Sequence, residues 1–161
     1  MITKQEYVRM LEGNRSLIEM QIEGLTDAQS LIQPANGGNC LRWVLGHLAE
    51  NLIEILRLLD TEPAQEAEAL KRFARTSEPI KGDEPGLLRL REIMQLYVKL
   101  ETQIYEKLSM MDESDFDKEI GTGERKARLG WKLFFYAFHH HYHIGQLEYL
   151  RNLAGLTESL I

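Results

Sequence analysis

The sequence predicts an all-α protein, a four-helix bundle with one long connection, in a single domain spanning residues 1–161. Three observations carry that prediction. Four long segments repeat apolar residues at three- and four-residue spacing, and no strand-like alternation recurs between them. A chain of 161 residues is also long enough to bury about two-thirds or more of its unfolded surface without covalent staples. Its single cysteine, Cys40, excludes an intrachain disulfide framework and a cysteine-based zinc cluster. Nineteen Lys and Arg against 25 Asp and Glu give a net charge of −6, and no basic block interrupts the chain. Neither nucleic acid nor an anionic membrane is therefore an expected partner. There is no signal-like N-terminus and no apolar run of about 18 residues, so the chain reads as cytoplasmic.

The first helix is predicted from about Lys4 to Gly24, with Thr3 and Glu6 at capping-box spacing. Tyr7, Leu11, Ile18 and Ile22 form its apolar face. Asn14 and Gln21 interrupt that face, which suggests a polar neighbour. Pro34, Gly37 and Gly38 then break regularity. The second helix, about Leu41 to Leu59, carries a continuous apolar arc through Leu41, Val44, Leu45, Leu48, Leu52, Ile55 and Leu56. His47 lies at the edge of that arc, with Trp43, Glu50, Asn51 and Glu54 clustered near it.

From Asp60 to about Gly86 the chain turns polar and includes Pro63, Pro79 and Pro85, with a short helical piece expected near Gln65–Lys71. Antiparallel neighbours in a bundle need only a few linking residues. A connection this long can carry the chain back along the bundle, so the second and third helices are expected to run parallel. The third helix, about Leu87 to Met111, has a core stripe of Leu90, Ile93, Met94, Tyr97, Leu100, Ile104, Leu108 and Met111. An acidic, then glycine-rich, stretch leads to the fourth helix from near Ala127.

That last helix holds four of the five histidines. With His139 at 0° on a wheel of 100° per residue, His143 falls at about 40° and Gln146 at about −20°, on one strip. Phe135, Tyr136, Leu147 and Leu150 flank the strip, and Trp131, Phe138, Tyr142 and Tyr149 widen it into an aromatic arc expected to face the core. His140 and His141 fall at or beyond its edge. Leu133, Phe134 and Ile144, on the back of the helix, exceed what one core needs and would suit a subunit interface or a packed connecting loop.

Residues four apart on a helix have Cβ atoms about 5–6 Å apart, so two imidazoles can converge on one ion. A third histidine from a facing helix closes a tripod. Three protein ligands with an open position is the arrangement of a catalytic zinc site, and neutral imidazole also binds nickel, iron and copper. The plain alternative is that these are core histidines bonded to backbone carbonyls. Cys40 reads as structural, since nothing supplies a base beside it. Glu50 and Glu54 are candidates for a fourth ligand, an imidazole partner or a general base, against the alternative of solvated surface carboxylates.

The segments LRWVLGHLAE and HHHYHIGQ, the latter read as H-x-x-x-H-x-G-Q, together with the lead-in LTDAQSLIQPANGGNC, resemble the DinB/YfiT-like superfamily of metal-binding four-helix bundles. The resemblance covers essentially the whole chain in helix order and spacing. It implies an up-down-down-up bundle and a divalent ion held by His47, His139 and His143, zinc or nickel first and iron after them. Gln146 would hydrogen-bond a ligand or bound water, Gly145 would permit close helix packing, and a homodimer is expected. Characterised relatives include thiol-dependent transferases and isomerases. The expected function is thus metal-dependent transfer of a low-molecular-weight thiol, or of water, to a small electrophile, with Glu50, Glu54 and Gln146 as candidate catalytic groups. The alternative is a non-catalytic metal- or ligand-binding dimer with a stress or regulatory role.

Overall fold

The computed structural model describes residues 2–158. It contains four long helices, α1 (Lys4–Ile22), α2 (Leu41–Leu58), α4 (Leu90–Ser109) and α5 (Leu129–Leu153), with a short α3 (Ala64–Leu70) inside the long connection. The expected capping box starts α1: Thr3 Oγ1 accepts from the Glu6 N–H at 3.2 Å, and the Thr3 N–H donates to Glu6 Oε2 at 2.8 Å. Helix α4 starts three residues later than expected, with its core stripe unchanged. Residues 87–89 stay outside the helix, and the Arg89 N–H is capped by Glu92 at 2.7 Å. Before α5, Ala127–Arg128 pair with Glu119–Ile120 as a two-residue antiparallel bridge, β2 with β1. Strands this short show no alternation to read.

The helix directions follow from contacts at one end of the bundle. Asp27, just beyond α1, accepts from Arg42 at the start of α2 at 3.0 Å and from the Leu90 N–H at the start of α4 at 3.0 Å. At the same end Arg151, near the finish of α5, donates to the carbonyls of Gln21 and Glu23. Helices α1 and α5 therefore end where α2 and α4 begin, which is the up-down-down-up order. Helix α2 packs against both α4 and α5, and α1 packs on α5. This central position explains why α2 is buried almost all round from Leu41 to Ala49, Arg42 included. The Arg42 guanidinium is accommodated there by bonds to Asp27 and Ser30.

The polar interruptions of α1 are fully buried, and Asn14 Nδ2 donates to the Ala137 carbonyl of α5 at 3.3 Å. The long connection is also packed. Leu70, Phe73 and Ile80 have no exposed surface, and burying a side chain such as Phe73 contributes on the order of 1.5–3 kcal/mol. Phe73 can lie on α2 because position 46 is glycine: a Cβ there would sit 2.2 Å from the Phe73 ring.

One expectation about α5 is reversed. Leu133, Ala137, His140, Ile144 and Leu147 are buried, whereas Trp131, Phe135, Phe138, Tyr142 and Tyr149 are 52–63 % exposed. The His139–His143 strip lies between these two faces, so it opens at the edge of the core and not at its centre. The physical reason is that α5 must cover both α1 and α2, which draws in its aliphatic side. Leu133 and Ile144 belong to the core and are not free for a subunit interface.

Candidate metal centre

His47 from α2 meets His139 and His143 from α5. His139 Nε2 lies 3.4 Å from His47 Nε2 and 3.1 Å from His143 Nε2. The three residues can each offer one nitrogen within 4.8 Å of the others, and among the described residues they form the one such cluster of histidine, cysteine or carboxylate groups. His140 and His141 stay outside it. The first is buried with Tyr97 Oη 3.5 Å from its Nδ1, and the second is exposed and donates from Nδ1 to the Ala137 carbonyl at 2.9 Å.

The second nitrogen of two imidazoles is fixed. His47 Nδ1 lies 3.1 Å from the Phe73 carbonyl, which can only accept, so the proton is on Nδ1 and Nε2 carries a lone pair. Likewise His143 Nδ1 donates to Gln146 Oε1 at 2.6 Å. Gln146 thus acts on the His143 ring. Trp43 stacks on His47 with centroids 4.9 Å apart, and its Nε1–H donates to Ser77 Oγ at 3.0 Å. Phe135 stacks on His139 at 6.1 Å.

All three rings are held neutral. Burial pushes His47 down to about 4, with the charge of His143 adding to it. Burial also lowers His139 and His143, and for His143 the bond to Gln146 works in the opposite direction. Two lone pairs therefore point at His139 Nε2, and one proton there could satisfy only one of them. A cation satisfies all three. Tetrahedral zinc with Zn–N distances of about 2.0–2.1 Å separates its nitrogen ligands by about 3.3 Å, close to the 3.1 and 3.4 Å observed. The donor set fits a divalent ion that prefers imidazole.

The triad opens on a cavity of about 930 Å³. Trp43, Phe135, Tyr136, Tyr142 and Tyr149 form aromatic walls, and Glu50, Glu54, Asn51, Arg75 and Gln146 are the polar groups. At its rim, Gly37 and Gly38 adopt φ of 87° and 117°, a turn open to glycine, between Asn36 and Asn39. Glu50 Oε2 is 3.7 Å from His47 Nδ1, too far to be its hydrogen-bond partner. Its carboxyl is raised above the usual range by burial, with Glu54 adding to the effect and Arg57 opposing it. Glu54 is already engaged by Arg57 at 2.5 Å. Cys40 is buried and its thiol is pushed up by that burial, which fits a structural role.

The sequence reading found the three histidines, Glu50, Glu54 and Gln146, all of which line the cavity. It also placed Trp43 near His47, where it stacks, but missed the Phe73 carbonyl and Arg75. Gly46, next to His47, was the local sign that another part of the chain comes close.

Fold and site define the class: a helical bundle whose three convergent histidines could hold a metal ion at a cavity. The sequence profile of the DinB superfamily matches residues 10–147, and the chain belongs to that superfamily. A solved structure, described as the conserved protein of locus from Enterococcus faecalis, is similar to it with a TM-score of 0.74 over 96 % of this chain and 98 % of that one. At 17 % identity that likeness concerns the fold. No curated protein matches the chain. Among the described residues, no helix is long and apolar enough to cross a membrane.

Proposed function

We propose that the protein is a metal-dependent enzyme that transfers a low-molecular-weight thiol to a small electrophile. The observation that carries this reading is the convergence of three neutral imidazoles on the wall of an open cavity. His47, His139 and His143 would hold the ion, zinc or nickel first and iron after them. When bound, such an ion supplies Lewis acidity that favours the thiolate near neutral pH.

The chain's own residues do the rest. Glu50, on the same wall and with an elevated affinity for protons, accepts the thiol proton. The sulfur forms a bond to the electrophilic carbon, and the displaced group leaves with its electron pair and takes up a proton from the carboxyl. Water in place of the thiol would make the reaction a hydrolysis with the same proton balance. Trp43, Phe135 and Tyr142 exclude solvent and orient the electrophile.

Arg75 gives the substrate a chemical bias. Among the described residues it is the one arginine or lysine on the wall, and no described carboxylate lies within ion-pair reach of it. Its segment is pinned on either side, by the Phe73 carbonyl on His47 and by Ser77 on Trp43. A guanidinium so held recognises a carboxylate on the thiol or the electrophile.

The test is thiol consumption by the metal-loaded, untagged protein across several electrophiles and thiols. Turnover that disappears in Glu50→Gln, with metal content retained, supports the reading. Inactivity of fully loaded protein with every pair would count against it.

A further inference from the structure

We propose that Asn36 is a site of spontaneous modification, at which the exposed Asn36–Gly37 step converts the side-chain amide to a carboxylate and recharges the mouth of the histidine cavity. This chemistry does not depend on the transfer reaction proposed above. Of the five asparagines in the chain, Asn36 alone is followed by glycine. The other four are held in place. Asn14 and Asn51 are buried in α1 and α2, Asn152 lies in α5, and Asn39 is half-buried just before α2.

The surroundings leave Asn36 room to react. On one side Gln33 donates to the Ile80 carbonyl, and on the other the buried Cys40 opens α2. Between these anchors Ala35, Asn36, Gly37 and Gly38 are exposed. Gly37 and Gly38 have φ of 87° and 117°, and a Cβ on either would meet nothing within 4 Å. No neighbouring group crowds the turn.

Glycine at position 37 favours the reaction directly. The nitrogen of the residue after an asparagine closes a five-membered ring when it bonds to the asparagine Cγ, and a glycine there adds no side chain to hinder that approach and restricts the backbone least. One restraint opposes it: the Gly37 N–H donates to the Pro34 carbonyl at 3.0 Å. A single hydrogen bond in an exposed turn has a small net worth, enough to slow the step by about tenfold at most.

The step balances with water as its sole co-reactant. The Gly37 nitrogen gives up its proton and bonds to Asn36 Cγ, and the side-chain nitrogen takes the electron pair of the broken bond and a proton and leaves as ammonia. Water then adds to one of the two ring carbonyls and breaks its bond to the Gly37 nitrogen, which regains a proton. Opening at Cγ gives aspartate. Opening at the backbone carbonyl gives isoaspartate, with the main chain continuing through Cγ.

Either product places a carboxylate on the rim of the cavity, whose wall already carries Glu50, Glu54 and Arg75. Newly made and aged protein therefore present different charge to an entering ligand.

The experiment follows the untagged full chain, kept folded at mildly alkaline pH, by peptide mass mapping over weeks, beside Asn36→Gln and a free peptide of residues 33–41. The expected result is exchange of NH2 for OH at residue 36 alone, as a mixture of aspartate and isoaspartate, the latter labelled by an isoaspartyl methyltransferase. An ion-exchange species of added negative charge should accumulate in the wild type and not in Asn36→Gln, with helical circular dichroism unchanged. The rate should lie within about tenfold of that in the free peptide. Asn36 left intact when the peptide has fully converted would overturn the proposal, as would conversion spread equally over Asn14, Asn39, Asn51 and Asn152.

Discussion

Phe73 anchors His47 through its backbone carbonyl while its ring seats on the neighbouring Gly46. Its carbonyl accepts from His47 Nδ1 at 3.1 Å, and its ring fills the space that a side chain on Gly46 would need. The long connection after α2 is thereby tied to the site, and one glycine permits it.

Gly46→Ala tests that arrangement. The new methyl would sit 2.2 Å from a fully buried ring, and overpacking of this kind destabilises by about 1–3 kcal/mol. Moving the Phe73 carbonyl also releases the His47 ring, so metal affinity is expected to fall about 10–100-fold. Denaturant unfolding and a metal titration on the same variant measure both effects.

Gln146 should act through His143. Replacing it with Leu removes the acceptor 2.6 Å from Nδ1, and metal affinity is expected to drop about 10–100-fold with little change in fold. Gln146→Glu keeps an acceptor and is expected to restore binding. Equal affinity in wild type and Gln146→Leu would remove the residue from the site.

Acid should destabilise the metal-free protein at an unusually early point. Burial depresses His47 to about 4 and His140 to about 3, below the unfolded value of about 6.5. Between these values the unfolded chain binds more protons than the folded one. The stability linked to these groups is present above about pH 6.5 and is lost as pH falls toward the folded values. Thermal unfolding of chelator-treated protein from neutral pH to about pH 4.5 is expected to show that decline, reduced in His140→Asn.

Arg75→Ala should discriminate by substrate charge. For a carboxylate-bearing thiol, binding to cobalt-loaded protein, read from the thiolate absorption band, is expected to weaken about tenfold or more. A neutral thiol of similar size should bind equally well to both proteins. Equal losses for the two thiols would indicate a structural role for Arg75.

Much of this was legible in the sequence because helical periodicity reports local amphipathicity directly. The four helices, the capping box at Thr3 and the parallel α2 and α4 followed from residue spacing and loop length. The candidate ligands were legible because His139 and His143 share one helical strip, and His47 lies at the edge of another. The faces of α5 were not. A wheel ranks residues by hydrophobicity, and on α5 both sides are hydrophobic, so it could not tell the aliphatic side that meets α1 and α2 from the aromatic side that stays exposed. Phe73 and Arg75 were hidden for a different reason: they reach the site from an irregular segment with no period to read.

The central claim is that His47, His139 and His143 together hold one divalent ion. Metal analysis of untagged protein, purified in parallel with His47→Ala, tests it most directly. The account predicts a single bound ion per wild-type chain, lost or greatly reduced in the variant while the helical content is unchanged. Wild-type protein that carries no metal and shows no affinity for added zinc or nickel would contradict it.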